Sequence, residues 1–256
     1  MLNFWQAVIL GLIQGLTEFL PVSSSGHLVI FQALFGLKDV PLAFDVILHL
    51  GTLIAVFAIF GRDLIDVFRK PGKELALYIA GSIPIGLMGY FGAHIFAGFF
   101  ASLTVVGCAL VVTGFLLFIS DGFSGQKRIK EMSFGHALLV GFFQGLAITP
   151  GLSRSGSTIF GALLCGLSRK EAARFSFLLS IPAILGASFF QLVNLEPSDL
   201  QLFSINYIWG TIAAAISGYL AIKFFLRLLE KKSLRYFSYY CWIIATIVLV
   251  IFPFVL

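Results

Sequence analysis

Glu18, Ser24 and His27 fall within one short stretch, G-L-I-Q-G-L-T-E-F-L-P-V-S-S-S-G-H at residues 11–27, and Arg154 falls in a similar stretch farther on. Glu18 is the only charged residue before Lys38, and Arg154 is the only one between Glu131 and Arg169. Ionisable side chains in such apolar surroundings are costly and mark functional sites by default. Gln14 and Glu18 are spaced i, i+4, so a helix puts them on one face. Two neighbouring oxygens there suit a hard divalent cation, Mg²⁺ or Ca²⁺, held against phosphate oxygens. Ser24-x-x-His27 sets a hydroxyl and an imidazole on one helical turn, where His27 can act as general base on Ser24. Arg154 offers a planar fork that neutralises a phosphoryl group in transfer. Ser23, Ser25 and Gly26 open one apolar run, and Ser153, Ser155 and Gly156, with Thr158, open another. Free amides and the positive dipole end at a helix start favour an anion. The set describes a phosphate or diphosphate site, with Ser24, His27, Glu18 and Arg154 in catalytic roles. The competing reading makes Glu18 and Arg154 a structural ion pair that welds two segments together. Asp45 and His49, also i, i+4, fit interface solvation as well as a cavity wall.

The elements that carry these residues are repeated. Moving residues 11–26 forward by 130 positions lands on G-F-F-Q-G-L-A-I-T-P-G-L-S-R-S-G, residues 141–156. Gly11, Gln14, Gly15, Leu16, Ser23, Ser25 and Gly26 meet the same residue types at 141, 144, 145, 146, 153, 155 and 156. Repetition at half the chain length signals a duplicated architecture. The copies differ in chemistry: Glu18 and His27 belong to the first, and Arg154 stands opposite Ser24 in the second. Composition sets the solvent. The 256 residues are 59% hydrophobic and 11% charged, with mean hydropathy +1.01. That is a polytopic, all-α membrane protein rather than a soluble domain. The net charge of +5 reflects cytoplasmic loops and anionic lipid, not a nucleic-acid partner. Cys108, Cys165 and Cys241 form no C-x-x-C and read as packing residues.

A bilayer core needs about 20 apolar residues per helix. Six segments reach that length, at about 44–60, 75–97, 102–119, 175–192, 206–222 and 237–254. Residues 4–20 and 24–36, and again 134–149 and 153–167, are too short and are separated by Pro21-Val22-Ser23 and Pro150-Gly151-Leu152. Broken backbone at membrane depth must be buried in protein or face a wet cavity. Both pairs therefore read as re-entrant helical hairpins. Basic clusters at Arg62–Lys73, Lys127–Lys130, Arg169–Arg174 and Lys223–Arg235 all belong in the cytoplasm, whereas the loop 193–205 carries Glu196 and Asp199 without a base. That placement makes the first hairpin enter from outside and the second from inside. The expectation is one membrane domain, 1–256, built as an inverted repeat: about 1–120 and about 131–256, each a hairpin plus three spans.

These motifs resemble the undecaprenyl-diphosphate phosphatase family of the bacitracin-resistance type. Residues Gln14–His27 match its first signature, [E/Q]-G-x-T-E-F-L-P-V-S-S-[S/T]-G-H, and Pro150–Thr158 match its second, P-G-x-S-R-S-G-x-T. F-D-V-I-L-H-L-G-T at 44–52 and F-S-F-L-L-S-I-P-A at 175–183 extend the likeness over essentially the whole chain. The resemblance implies hydrolysis of a C55 isoprenoid diphosphate to its monophosphate carrier at the outer face of the bacterial plasma membrane, in cell-wall lipid recycling. It assigns family roles to Glu18, Ser24, His27 and Arg154 and leaves open whether serine or histidine is the nucleophile. Gln14 stands where the family also uses an acid, which weakens a two-carboxylate metal site. S-G-H is shared with the type-2 phosphatidic acid phosphatases, but their S-R-x5-H is missing after Arg154. A polyprenyl-phosphate transporter or flippase is the alternative, since inverted repeats with broken helices are a transporter design. A homodimer is compatible with the sequence.

Overall fold

The computed structural model describes residues 2–37, 42–123, 125–193, 204–229 and 233–254. Glu196 and Asp199, and with them most of the 193–205 loop, lie outside the described residues, as do Lys38, Lys231 and Lys232. The described chain is helical: α1 (Phe4–Phe19), α2 (Ser24–Leu34), α3 (Leu42–Arg69), α4 (Lys73–Phe100), α5 (Leu103–Ser120), a 3-10 turn (Ile129–Glu131), α6 (Phe134–Leu146), α7 (Arg154–Leu164), α8 (Arg169–Val193), α9 (Ile205–Leu229) and α10 (Arg235–Thr246). The last helix continues as a π turn (Ile247–Ile251) and a 3-10 turn (Phe252–Phe254). Among the described residues there is no strand, only an isolated bridge between Lys127 and Leu167.

Six helices, α3, α4, α5, α8, α9 and α10 with its terminal turns, are long and apolar enough to cross a membrane. Their outward faces are apolar, with Tyr90, Phe91, Phe189 and Ile216 among the exposed side chains. The chain is a multi-pass membrane protein. Several spans run past the apolar windows: α3 continues to Arg69, α8 begins at Arg169 and α9 ends at Leu229. Charged residues end an apolar run but not a helix, and the extra turns of α3 and α8 are held by ion pairs described below.

α1–α2 and α6–α7 are the two short pairs, and they are built alike. Ser23 and Ser153 cap α2 and α7, their hydroxyls accepting from the Gly26 and Gly156 amides at 3.3 and 3.1 Å. Gly36 and Gly166 close the same helices at φ +66° and +87°, and the next amides, of Leu37 and Leu167, reach back to Gln32 and Ala162. A 6→1 bond over a left-handed glycine is the Schellman termination. The packing is reciprocal as well: α1 lies along α9, and α6 lies along α4. Lipid tails are as apolar as leucine, so helices associate there through close packing at small residues. Gly11 meets the backbone of Gly210 on α9, and its counterpart Gly141 meets the backbone of Gly81 on α4.

Charges gather at one end of the bundle. Arg174 of α8 pairs with Asp63 of α3 at 2.7 Å and Glu74 of α4 at 3.4 Å. The Ile129 amide donates to Glu171, and Lys73 Nζ donates to the Lys130 carbonyl. Asp121, which ends α5, accepts from Arg169 Nη2 at 2.9 Å, the Leu234 amide at 3.0 Å and Arg235 Nε at 3.3 Å. α7 returns to this end, where the Lys127 amide donates to the Gly166 carbonyl. At the other end Asn206 of α9 donates to the Leu2 carbonyl, and Gln32 of α2 donates to Asp45 of α3.

Two outcomes follow. A β-carbon at Gly11 or Gly141 collides with facing backbone, so Gly11→Ala and Gly141→Ala each cost about 1–3 kcal/mol; Gly61→Ala, with open space around it, is neutral or slightly stabilising. Thermal unfolding in detergent checks the ranking, and equal effects at all three positions would refute the close-packing account. For Asp121, desolvation raises the pKa but is outweighed by Ser233, the Leu234 amide and Arg169, so the net shift is downward. Its folded value lies below its unfolded one, so the stabilisation is fully present above the ordinary carboxylate range and is lost as pH falls through the lowered value. Asp121→Asn lowers the thermal midpoint at pH 7, and the gap to wild type closes on acidification; a gap independent of pH would show that the carboxylate charge is irrelevant.

Candidate active site

The breaks in the short helix pairs face each other. After Phe19 the chain turns through Leu20, Pro21 and Val22 to Ser23, whose φ of 70° is the only positive value at a non-glycine among the described residues. The second break runs from Ala147 to Ser153 and passes through Gly151 at φ +93°. Cross-bonds stitch them together. Ser23 Oγ accepts from the Gly151 amide at 3.1 Å, and Ser155 Oγ donates to the Leu20 carbonyl at 3.1 Å. Thr113 of α5 donates to the Gly151 carbonyl at 2.9 Å and accepts from the Ser153 amide at 3.0 Å. Backbone freed by the breaks is thus satisfied inside the protein, as an apolar solvent demands.

Glu18 sits where the breaks meet, with its side chain 3% exposed. Arg154 Nη2 donates to Oε1 at 2.7 Å. Ser24 Oγ donates to Oε2 at 2.5 Å, Gln14 Nε2 donates to the same oxygen at 2.9 Å, and His49 Nε2 lies 3.7 Å from it. His49 is oriented by its Nδ1–H, which donates to the Asp45 carbonyl at 2.7 Å. Two buried polar atoms beside this cluster have no partner: Arg154 Nη1, a donor, and Gln14 Oε1, an acceptor. A buried polar group without a partner costs about 1–3 kcal/mol, more when charged. The pair marks where a ligand is expected to complete the site.

The structure brings Glu18, Ser24, Gln14 and Arg154 together from three helices, α1, α2 and α7. It does not bring Ser24 to His27. The Ser24 hydroxyl is committed to Glu18, and both ring nitrogens of His27 are engaged elsewhere: Nδ1 with the Ser23 carbonyl at 2.8 Å and Nε2 with the Tyr240 hydroxyl at 2.8 Å. Residues three apart in α2 share a face of the helix, but the Ser24 hydroxyl reaches back across the break to Glu18 instead. Several hydroxyls read as phosphate ligands are also occupied. Ser23 and Ser153 cap helices, Ser155 bridges the breaks, and Thr158, fully buried, bonds the Arg154 carbonyl and Ser176. Gly26 and Gly156 give their amides to the caps. The first two amides of each helix, at Ser24 and Ser25 and at Arg154 and Ser155, are the ones these caps leave over. The Ser25 hydroxyl lies 3.4 Å from that of Ser23. Two participants escaped the sequence reading. His49 gave a signal, its i, i+4 spacing from Asp45, that fitted interface solvation equally well; Tyr240, one of several aromatics in R-Y-F-S-Y-Y-C-W, gave none.

The family model described as bacitracin resistance protein BacA matches residues 7–247. The chain belongs to the BacA family. Among its BacA-like relatives, a protein named undecaprenyl-diphosphatase from Halothermothrix orenii is 48% identical over 255 residues, covering 98% of each chain. A protein of the same name from Carboxydothermus hydrogenoformans is 47% identical with the same coverage. One from the archaeon Methanosphaera stadtmanae is 43% identical over 275 residues, covering 98% of this chain and 99% of its own.

For a divalent cation, this BacA-family site offers little of its own: no three His, Cys, Asp or Glu side chains converge among the described residues. What it does offer is the orphaned Gln14 Oε1 beside the Glu18 carboxylate. That fits a hard cation which takes its remaining ligands from water and phosphate.

Removing one partner of a buried ion pair strands the other, at a cost of about 3–5 kcal/mol. Glu18→Gln and Arg154→Met should therefore each lower stability sharply, and the double variant should lose much less than their sum. A double-mutant cycle in detergent measures this; additive losses would show that the 2.7 Å contact carries no coupling.

Proposed function

We propose that this chain hydrolyses undecaprenyl diphosphate to undecaprenyl phosphate and inorganic phosphate, and so contributes to carrier-lipid recycling and bacitracin resistance. The observation that carries the reading is the Ser24 hydroxyl donating to Glu18 Oε2 at 2.5 Å, beside a guanidinium with one unpartnered nitrogen. A diphosphate seated at the breaks supplies the missing partner of Arg154 Nη1 and meets the Ser24 and Ser25 amides at the α2 dipole. As its oxygens draw Arg154 away, Glu18 loses the counter-ion on Oε1 and becomes a stronger base. Ser24 Oγ then attacks the terminal phosphorus while its proton passes to Glu18 Oε2. The bond from phosphorus to the bridging oxygen breaks, and the lipid monophosphate leaves with that oxygen. Water cleaves the phosphoserine and releases inorganic phosphate, with Glu18 returning the proton. A cation held by Glu18 and Gln14 Oε1 would neutralise phosphate charge when bound.

The site is complete within one chain. Its orientation is part of the same proposal: the charged end faces the cytoplasm, α1–α2 re-enter from outside and α6–α7 from inside, and the two halves form an inverted repeat. The substrate then reaches Ser24 from the outer face of the bacterial plasma membrane. A polyprenyl-phosphate carrier of the same architecture would use Arg154 and the helix termini but has no need of a serine held on a carboxylate.

Purified protein in detergent, where transport is impossible, should release phosphate from undecaprenyl diphosphate; absence of release with any divalent cation would favour the carrier. Ser24→Ala should lose nearly all turnover while still binding lipid diphosphate. Arg154→Lys keeps the charge but not the fork, and should stay folded while losing about 10²-fold or more in kcat. Substantial turnover in Ser24→Ala would remove the phosphoserine step.

A further inference from the structure

Ser23 is the one non-glycine residue held at positive φ among the described residues, at φ 70° and ψ 96°. Its counterpart in the second repeat, Ser153, does the same capping at an ordinary φ of −66° and ψ of 120°. The strain is therefore not a requirement of the cap. It coincides with a second difference between the repeats: four residues on, the first carries His27 and the second Ser157, whose buried hydroxyl has no partner. The carbonyl of Ser23 accepts from the His27 amide at 3.2 Å and also binds the His27 ring at 2.8 Å. A carbonyl can only accept, so Nδ1 carries the proton. In the neutral ring Nε2 is then an acceptor, and the Tyr240 hydroxyl donates to it at 2.8 Å with the two ring planes within 5° of parallel. His27 is 4% exposed, whereas Tyr240, on α10, is 40% exposed.

We infer that His27 and Tyr240 are positioning residues, a two-member strap that holds Ser23 in its strained conformation, and that His27 is not the proton acceptor of the reaction. The consequence of the strain is the aim of Ser24. With Ser23 left-handed, the Ser24 hydroxyl points back over the break to a carboxylate six residues earlier. In the second repeat, where Ser153 is relaxed, the same position holds Arg154, whose long side chain reaches Glu18 without such a turn. A histidine acting as base would need a free ring nitrogen near Ser24, and neither is free. Tyr240 extends the strap to the last helix, a part of the chain outside both motifs.

The inference rests on the phosphatase reading, so wild-type phosphate release from undecaprenyl diphosphate in detergent is measured first; its absence would sink that reading and leave the strap to the spectroscopic arm. Asparagine at 27 places a side-chain N–H close to that of Nδ1 and has no titrating group. His27→Asn should keep turnover within about tenfold of wild type, a loss smaller than one expects on deleting a general base, ~10²–10⁴, and should retain the wild-type shape of the pH–rate profile. His27→Ala should fall well below it. Tyr240→Phe, which keeps the ring and removes the hydroxyl, should lower kcat several-fold with KM unchanged. The arm free of activity is ¹⁵N NMR of the histidine side chains, with the His27 signals assigned by their loss in His27→Asn. Nδ1 should be the protonated nitrogen, and the Nε2 resonance should shift in Tyr240→Phe. A folded His27→Asn as inactive as His27→Ala, or a pH limb lost in His27→Asn alone, would overturn the inference. So would an Nε2–H tautomer in the wild type.

Discussion

The rest of the molecule depends on keeping one carboxylate charged where water is scarce. An isolated carboxylate transferred into an apolar medium would be prohibitively unstable, so Glu18 must be surrounded by donors. They come from α1 itself, the start of α2, α3 and the start of α7. No single helix could supply them. Breaking two helices solves the geometry, because each break ends one helix and begins another at the same place. The breaks then need partners for their own freed backbone, which Ser23, Thr113 and Ser155 supply across the interface. Satisfying one charge thus dictates where the chain breaks and which hydroxyls line the breaks.

The same requirement explains why a resting ion pair and a catalytic site are not competing descriptions. Arg154 neutralises Glu18 through one nitrogen and leaves another without a partner. The pair is strong enough to hold the breaks together, yet the guanidinium is under-satisfied, and a phosphate can satisfy it better. Exchange of one anion for another on the same arginine conserves most of the electrostatic energy. In the proposed mechanism it also couples binding to chemistry, since the carboxylate gains basicity only when the diphosphate has arrived.

Much of this was legible in the sequence. The six spans, the two short broken pairs and the exceptional status of Glu18 and Arg154 follow from apolar run lengths and from the rarity of charge. Span ends were less legible, because Asp63, Arg169 and Glu171 end an apolar run while ion pairs carry the helix onward. The site was legible as a set of residues but not as a set of bonds. Helical spacing puts Ser24 and His27 on one side of α2 but does not show that each has a partner elsewhere, and the positive φ at Ser23 is invisible in a run of serines. Which hydroxyls cap and which face a ligand depends on the opposite break, 130 positions away. Tyr240 reaches the site through packing of α10 alone, for which an aromatic-rich run gives no local sign.

A duplicated scaffold also accounts for the asymmetry of the chemistry. The two repeats share caps, glycine terminations and close-packed small residues, so either could have been tuned without disturbing the other. Symmetry brings two equivalent turns together, but two equivalent turns would present like groups to each other. Two carboxylates there would repel, and two arginines would leave no nucleophile. Opposite charges resolve the conflict: Glu18 faces Ile148 in the repeat alignment, and Ser24 faces Arg154. Strain then appears only in the first repeat, where a short serine must span a gap that a long arginine spans unaided. The positive φ of Ser23 accompanies the short side chain of Ser24, which meets Glu18 across the break.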